Sequence, residues 1–148
     1  MMSKQDKYIK TKEFIFSGDF KNLEKIRKLV KGCAINSGFT EDESDKIALA
    51  VDEACTNLIR YSFNFDKKNK ITISVNNDEK YFIVNIVDAG KPFNPLDVPK
   101  PNMKEYLQNY KKGGLGIFLI RSVVDEIEYI PSNHNNPHNT LILKKLLA

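Results

Sequence analysis

At 148 residues the chain has the length of one ordinary domain, and 41% hydrophobic with 28% charged residues excludes a disordered tail or a fibrous repeat. A formal net charge of +4, carried in small scattered lysine groups such as Lys67 with Lys68 and Lys111 with Lys112, reads as a solvated surface rather than a nucleic-acid patch. The opening "MMSKQDKYIK" lacks the apolar core of a secretory signal, and the longest apolar runs, "IALAV" and "GIFLI", are too short to cross a bilayer, so no membrane contact is expected.

The predicted elements follow in chain order. "YIKTKEFIF" alternates and is rich in aromatic and β-branched residues, which predicts a first strand. After the punctuation "SGDF", the segment "FKNLEKIRKLVKGCAIN" places Phe20, Leu23, Ile26, Val30, Cys33 and Ala34 on one helical stripe. Gly38 is expected to close that helix in left-handed conformation. "TEDESDKIALAVDEACTNLIRYSF" predicts a second helix, opened by Thr40 and Glu43 at capping-box spacing and buried along Ile47, Val51, Ala54, Cys55 and Leu58. Both cysteines thus fall on apolar faces and read as core thiols of a reducing compartment, so the cytoplasm is the expected location. "ITISVNN" and "YFIVNIVDAG", joined by polar "NNDE", predict a hairpin. From 91 to 112 the periodicity stops, and four of the chain's six prolines fall there. A gap of that length inside a compact domain is either a lid over a functional site or a disordered segment. A helix to about 124 and the strands "EIEYI" and "NTLILKKLL" complete the chain. His134 and His138 lie in the Asn-rich turn between those strands, where Pro137 rules out the helical spacing of a metal pair.

Three stretches could carry chemistry. In "DEACTN", Glu53 and Asn57 are one helical turn apart, about 6 Å along the axis, with Arg60 on the same stripe. Such a pair is either an ordinary polar helix flank or a proton acceptor beside an amide ligand for a hard cation. In "IVNIVDAGKPF", Asp88 ends an apolar strand just before Gly90. It is either a strand-end turn or a pocket carboxylate that accepts from an exocyclic amine such as that of adenine. In "KKGGLGIFLIRSV", Gly113, Gly114 and Gly116 open a helix whose first N–H groups lack partners, a tight turn or an anion site. It matches neither the P-loop nor the dinucleotide fingerprint.

Taken together and in this order, "EACTN", "DAGKPF" and "GGLGIFLI" resemble the N, G1 and G2 boxes of the GHKL (Bergerat-fold) ATPases, and most closely the RsbW-type anti-sigma-factor serine kinases. The likeness extends over about 14–147. It implies an α+β fold: a two-layer α/β sandwich with a mixed, mostly antiparallel sheet and helices on one face. One domain would span 1–148, with an ATP lid at about 91–112. The resemblance makes Glu53 the general base and Asn57 the ligand of Mg²⁺. Asp88 would receive the adenine amine, with Gly90 leaving room for the base. Gly113, Gly114, Leu115 and Gly116 would wrap the phosphates, and Thr140 would lie near the adenine. Arg27 becomes a candidate partner-docking residue, against a plain surface charge. The function implied is a protein serine kinase that uses ATP and Mg²⁺ on a STAS-domain anti-anti-sigma protein and sequesters a sigma factor, as a homodimer. The alternative is a nucleotide-gated adaptor of the same fold without kinase turnover. The chain departs from the family pattern at Tyr61, often His, and at Asn139, usually Gly.

Overall fold

The computed structural model describes residues 11–97 and 116–147. Among them five strands form one sheet: β1 (Lys12–Ser17), β2 (Lys70–Asn77), β3 (Tyr81–Asp88), β4 (Glu126–Ile130) and β5 (Asn139–Leu146), in the spatial order β1-β2-β3-β5-β4. Helices α1 (Leu23–Asn36), α2 (Glu41–Asn57) and α3 (Gly116–Val123) supply the second layer. This is the expected α+β sandwich. Every described pairing is antiparallel, so the parallel component of the expected mixed sheet is missing from these residues. The connections explain it. The α1–α2 pair runs down and back, so β2 starts at the end of the sheet where β1 stopped and must run the other way.

That connectivity gathers the end of β1, the end of α2, the end of β3 and the start of β5 at one end of the sheet, called the upper end below. Period-two alternation puts Ile71, Ile73, Val75, Phe82, Val84, Ile86, Leu141 and Leu143 on the helix-facing side, all buried. They meet Ile26, Val30, Cys33 and Ala34 of α1, the expected apolar face of α2, and Ile117 and Ile120 of α3. Each large side chain removed from water there contributes about 1.5–3 kcal/mol. Phe39, in the α1–α2 connection, seals the edge with its ring edge-on to Phe82 at 5.7 Å.

Local signals set the helix ends. Gly38 has φ +104°, as its helix-closing place requires. The Thr40 hydroxyl accepts from Glu43 N at 3.1 Å, the Thr half of the capping box, and no return bond from the Glu43 carboxylate is present among the described residues. Phe20 departs from the expected stripe. The chain enters α1 through a 3₁₀ turn, Phe20–Asn22, which turns Phe20 outward against Phe65 at 5.8 Å. Thr40→Ala is expected to lower the unfolding free energy by about 1 kcal/mol, the usual cost of a lost N-cap, without moving the slope of a urea transition.

Candidate functional site

The alternation that fills the core continues to the upper end of β3. Phe82, Val84, Ile86 and Asp88 share one row, so the strand's last residue points a carboxylate into the helix-facing layer, where it is 4% exposed. Burial pushes its pKa up, and the donors around it draw it partly back. Gly90 N donates to Asp88 Oδ2 at 2.9 Å, and Asn139 Nδ2 donates to the same oxygen at 3.1 Å. Asn139 is the register partner of Asp88 at the first position of β5, and it is buried. Its Nδ2 also donates to the Gly90 carbonyl at 2.9 Å, while its Oδ1 accepts from Ser132 N at 2.8 Å. The Ser62 hydroxyl lies 3.4 Å from Asp88 Oδ2 and 2.5 Å from the Lys91 carbonyl. With one proton to give, Ser62 gives it to the closer carbonyl.

The Ser62 position depends on a change of helix type. After Asn57 the backbone widens into a π turn, Leu58–Ser62, closed by Phe63 N donating to the Leu58 carbonyl at 2.8 Å. The expected α-periodicity to the end of "YSF" therefore breaks. The wider turn brings Ser62 to the β3 end and drops the Phe63 ring between two glycines. A Cβ on Gly18 would meet that ring at 2.7 Å, and one on Gly90 would meet it at 2.7 Å from the other edge and Ser62 Oγ at 2.5 Å. Packing alone requires glycine at 90. Asn64 and Phe65 then take positive φ of 49° and 65° and end the helical segment.

Below the π turn, Asn57 is buried and Glu53 is half-buried. Neither side chain has a hydrogen-bond partner among the described residues. The Glu53 pKa is raised by burial first and by the Asp52 carboxylate second, with Arg60 opposing. Arg27 pairs with Asp52 at 3.3 Å, so it ties α1 to α2 rather than standing as a plain surface charge. Burial likewise pushes the Cys55 thiol far above its ordinary range, as an inert core cysteine requires.

A narrow crevice opens among these groups. It is lined by Ala54, Asn57, Leu58, Asp88, Phe93 and Tyr129, among others. Tyr61 stacks on Phe93 at 5.2 Å, and Phe93 N donates to Tyr129 Oη at 3.0 Å, so the family-variant position 61 acts on the crevice through Phe93. Arg121 of α3 donates to the Leu96 carbonyl at 2.9 Å, holding the first part of the expected lid against that helix. Thr140 pairs with Val87, and alternation puts it on the opposite face of the sheet from Asp88. The residue that meets Asp88 is its neighbour Asn139, which the sequence marked only as a departure. Gly116 begins α3, while Gly113, Gly114, Leu115 and most of the segment at 91–112 lie outside the described residues. No group of three metal-ligating side chains is found among the described residues, and no described helix is long and apolar enough to cross a membrane.

Residues 16–145 match the histidine kinase-like ATPase domain family. The chain belongs to that family. It is also similar to the serine-protein kinase RsbW of Bacillus subtilis (strain 168), 30% identical over 115 residues that cover 74% of this chain and 70% of that protein. The RsbW of Halalkalibacterium halodurans is 32% identical over 112 residues, 70% of this chain and 65% of the relative. That of Oceanobacillus iheyensis is 25% identical over 121 residues, 79% and 73% respectively. The chain thus spans about two thirds of the length of the relatives it matches. Membership of the ATPase family implies the use of ATP.

Gly90→Ala in this ATPase domain is expected to cost roughly 1–3 kcal/mol, as overpacking does, because the added methyl meets Phe63 and Ser62 at once. A lowered thermal midpoint in the variant checks this. An unchanged midpoint would mean that Phe63 can move aside.

Proposed function

We propose that this chain is an ATP-dependent protein serine kinase and anti-sigma factor. It phosphorylates a serine of a STAS-domain anti-anti-sigma protein and sequesters a sigma factor, with release governed by that phosphorylation. The carrying observation is Glu53 and Asn57, one turn apart on α2, neither with a hydrogen-bond partner among the described residues, and Asn57 on the same crevice as Asp88. Phosphoryl transfer asks for positioning and charge stabilisation more than for covalent chemistry, and these groups meet that need.

Asp88 accepts the adenine amino group, with Gly90 beside the base. The backbone of Gly113, Gly114, Leu115 and Gly116 donates to the phosphates at the start of α3. Asn57 fits a magnesium ion, since it offers a hard amide oxygen at the crevice wall with no hydrogen-bond partner among the described residues. Bound there with the phosphates, Mg²⁺ offsets their charge. Glu53 takes the proton of the attacking serine hydroxyl. The serine oxygen then bonds to the γ-phosphorus as its bond to the β–γ bridging oxygen breaks, and ADP leaves. A carboxylate base with a raised pKa holds a proton more firmly than an exposed one. Transfer therefore falls off on the acid side at a higher pH than an ordinary glutamate would give.

The protein works in the cytoplasm as a single ATPase domain over 1–148, with 91–112 as its lid. A homodimer is supported by the open face of the sheet, where Ile83, Val87 and Ile142 are half-buried and Ile15, Ile130 and Leu146 exposed.

Glu53→Gln is expected to cut serine phosphorylation of the partner at least ~10²-fold while Mg-ATP affinity stays within about threefold. Radiolabel transfer and calorimetric titration measure the two. Wild-type protein that binds nucleotide and both partners but transfers no phosphate would leave the nucleotide-gated adaptor as the function.

A further inference from the structure

Asp88 carries both of its protein N–H donors on one oxygen. Gly90 N and Asn139 Nδ2 converge on Oδ2, and among the described residues no donor reaches Oδ1, although Asp88 lines the crevice. The Asn139 amide can face only one way. Its nitrogen lies against two acceptors, Asp88 Oδ2 and the Gly90 carbonyl, and its oxygen against one donor, Ser132 N. This carboxamide joins the end of β3, the turn after it and the approach to β5, and it does so where the resembled family usually has a glycine, which offers no side chain.

We infer that Asn139 is a positioning residue that decides which purine the crevice accepts: it holds the Asp88 carboxylate ionised and turned, so that Oδ1 is presented as an acceptor to an exocyclic amine and repels a carbonyl at the same edge. The inference rests on the ATP-binding reading above. Adenine carries an amine at that edge and guanine a carbonyl, so the state of one carboxyl separates them. An ionised Asp88 accepts from the amine. A protonated one can donate to the carbonyl instead. Burial favours the protonated form, and Asn139 and Gly90 N oppose it. Among the described residues the other titratable groups around Asp88 are Cys55 on α2, Tyr129 on β4 and His138 before β5, and of these His138 draws the carboxyl pKa down. All three are the same in wild type and variant, so they cancel in the comparison.

The test is Asn139→Leu, which keeps the γ-branched shape, leaves no room for a replacing water and deletes the donors. Fluorescent ATP and GTP analogues are titrated between pH 5 and 8 against wild type and variant. ATP affinity is expected to fall tenfold or more, in line with loss of a hydrogen bond to a charged group. GTP affinity is expected to hold or rise, so the ATP:GTP ratio collapses. The acid limb of ATP binding is expected to move to higher pH, because without Asn139 the carboxyl keeps its proton longer. Asn139→Ala, where a water can stand in, should move the same way by less, and it replaces the leucine variant if that does not fold. A lower thermal midpoint with the ratio and the acid limb both unmoved would overturn the inference and leave Asn139 a strand clip. Wild-type protein that binds no ATP would overturn the nucleotide reading itself, and this inference with it.

Discussion

A carboxylate at the end of a buried strand must be given hydrogen-bond donors or a proton, and the upper end of this fold is arranged around that requirement at Asp88. The row that carries Phe82, Val84 and Ile86 into the core delivers Asp88 to the same layer. Three separate pieces of chain then converge on it: the turn through Gly90, the first residue of β5, and Ser62 at the end of the π turn. Each has its own structural reason to be there. β5 is the register partner of β3, Gly90 is the only residue that leaves room for Phe63, and the π turn is what sets Ser62 and Phe63 at that height.

Phe63 extends the same constraint sideways. Its ring fills the space between Gly18 at the end of β1 and Gly90 at the end of β3, so the glycines act as a matched pair. The end of α2 is thereby held against two strands, and Asn57, one residue before the π turn, takes its place on the crevice wall from that anchorage. Interiors packed at this density transmit displacement poorly into empty space and well into neighbours. A shift of Phe63 therefore presses on Gly90, whose N–H holds the Asp88 carboxylate.

Much of this was legible in the amino-acid order. The strand alternation, the Thr40 cap, the left-handed Gly38 and the buried stripe of α2 rest on local periodicity and turn chemistry, and these survive tertiary packing because packing agrees with them. The first two boxes supply Asn57, Asp88 and Phe93 to the crevice, while the glycines at 113 and 114 in the third lie outside the described residues. What could not be read has a common physical cause. The π turn, the glycine pair around Phe63 and the bonds of Asn139 each depend on elements far apart in the chain. A pattern along one segment carries no sign of them. Asn139 is the clearest case. Beside Thr140 it looks like an ordinary turn residue in an Asn-rich stretch, and only the register of β5 on β3 shows that it faces Asp88 while Thr140 faces away.

Glu53 and Asp88 are both raised from their ordinary pKa by the same primary cause, burial, yet their surroundings differ in a way that suits the two roles proposed for them. Glu53 has no donor among the described residues, and its nearest named influences are the Asp52 charge and Arg60. A carboxylate left without donors holds a proton well once it has taken one, as a base must. Asp88 is supplied with donors on one oxygen, which favours the charged form and fixes its direction. A group held that way is suited to recognition and poorly suited to proton exchange. On the proposed roles, Asn139 placed beside Glu53 instead would make the base weaker and the purine pocket less selective. The proposed separation of roles therefore lies in where the chain spends its hydrogen-bond donors, since the acids themselves differ by a single methylene.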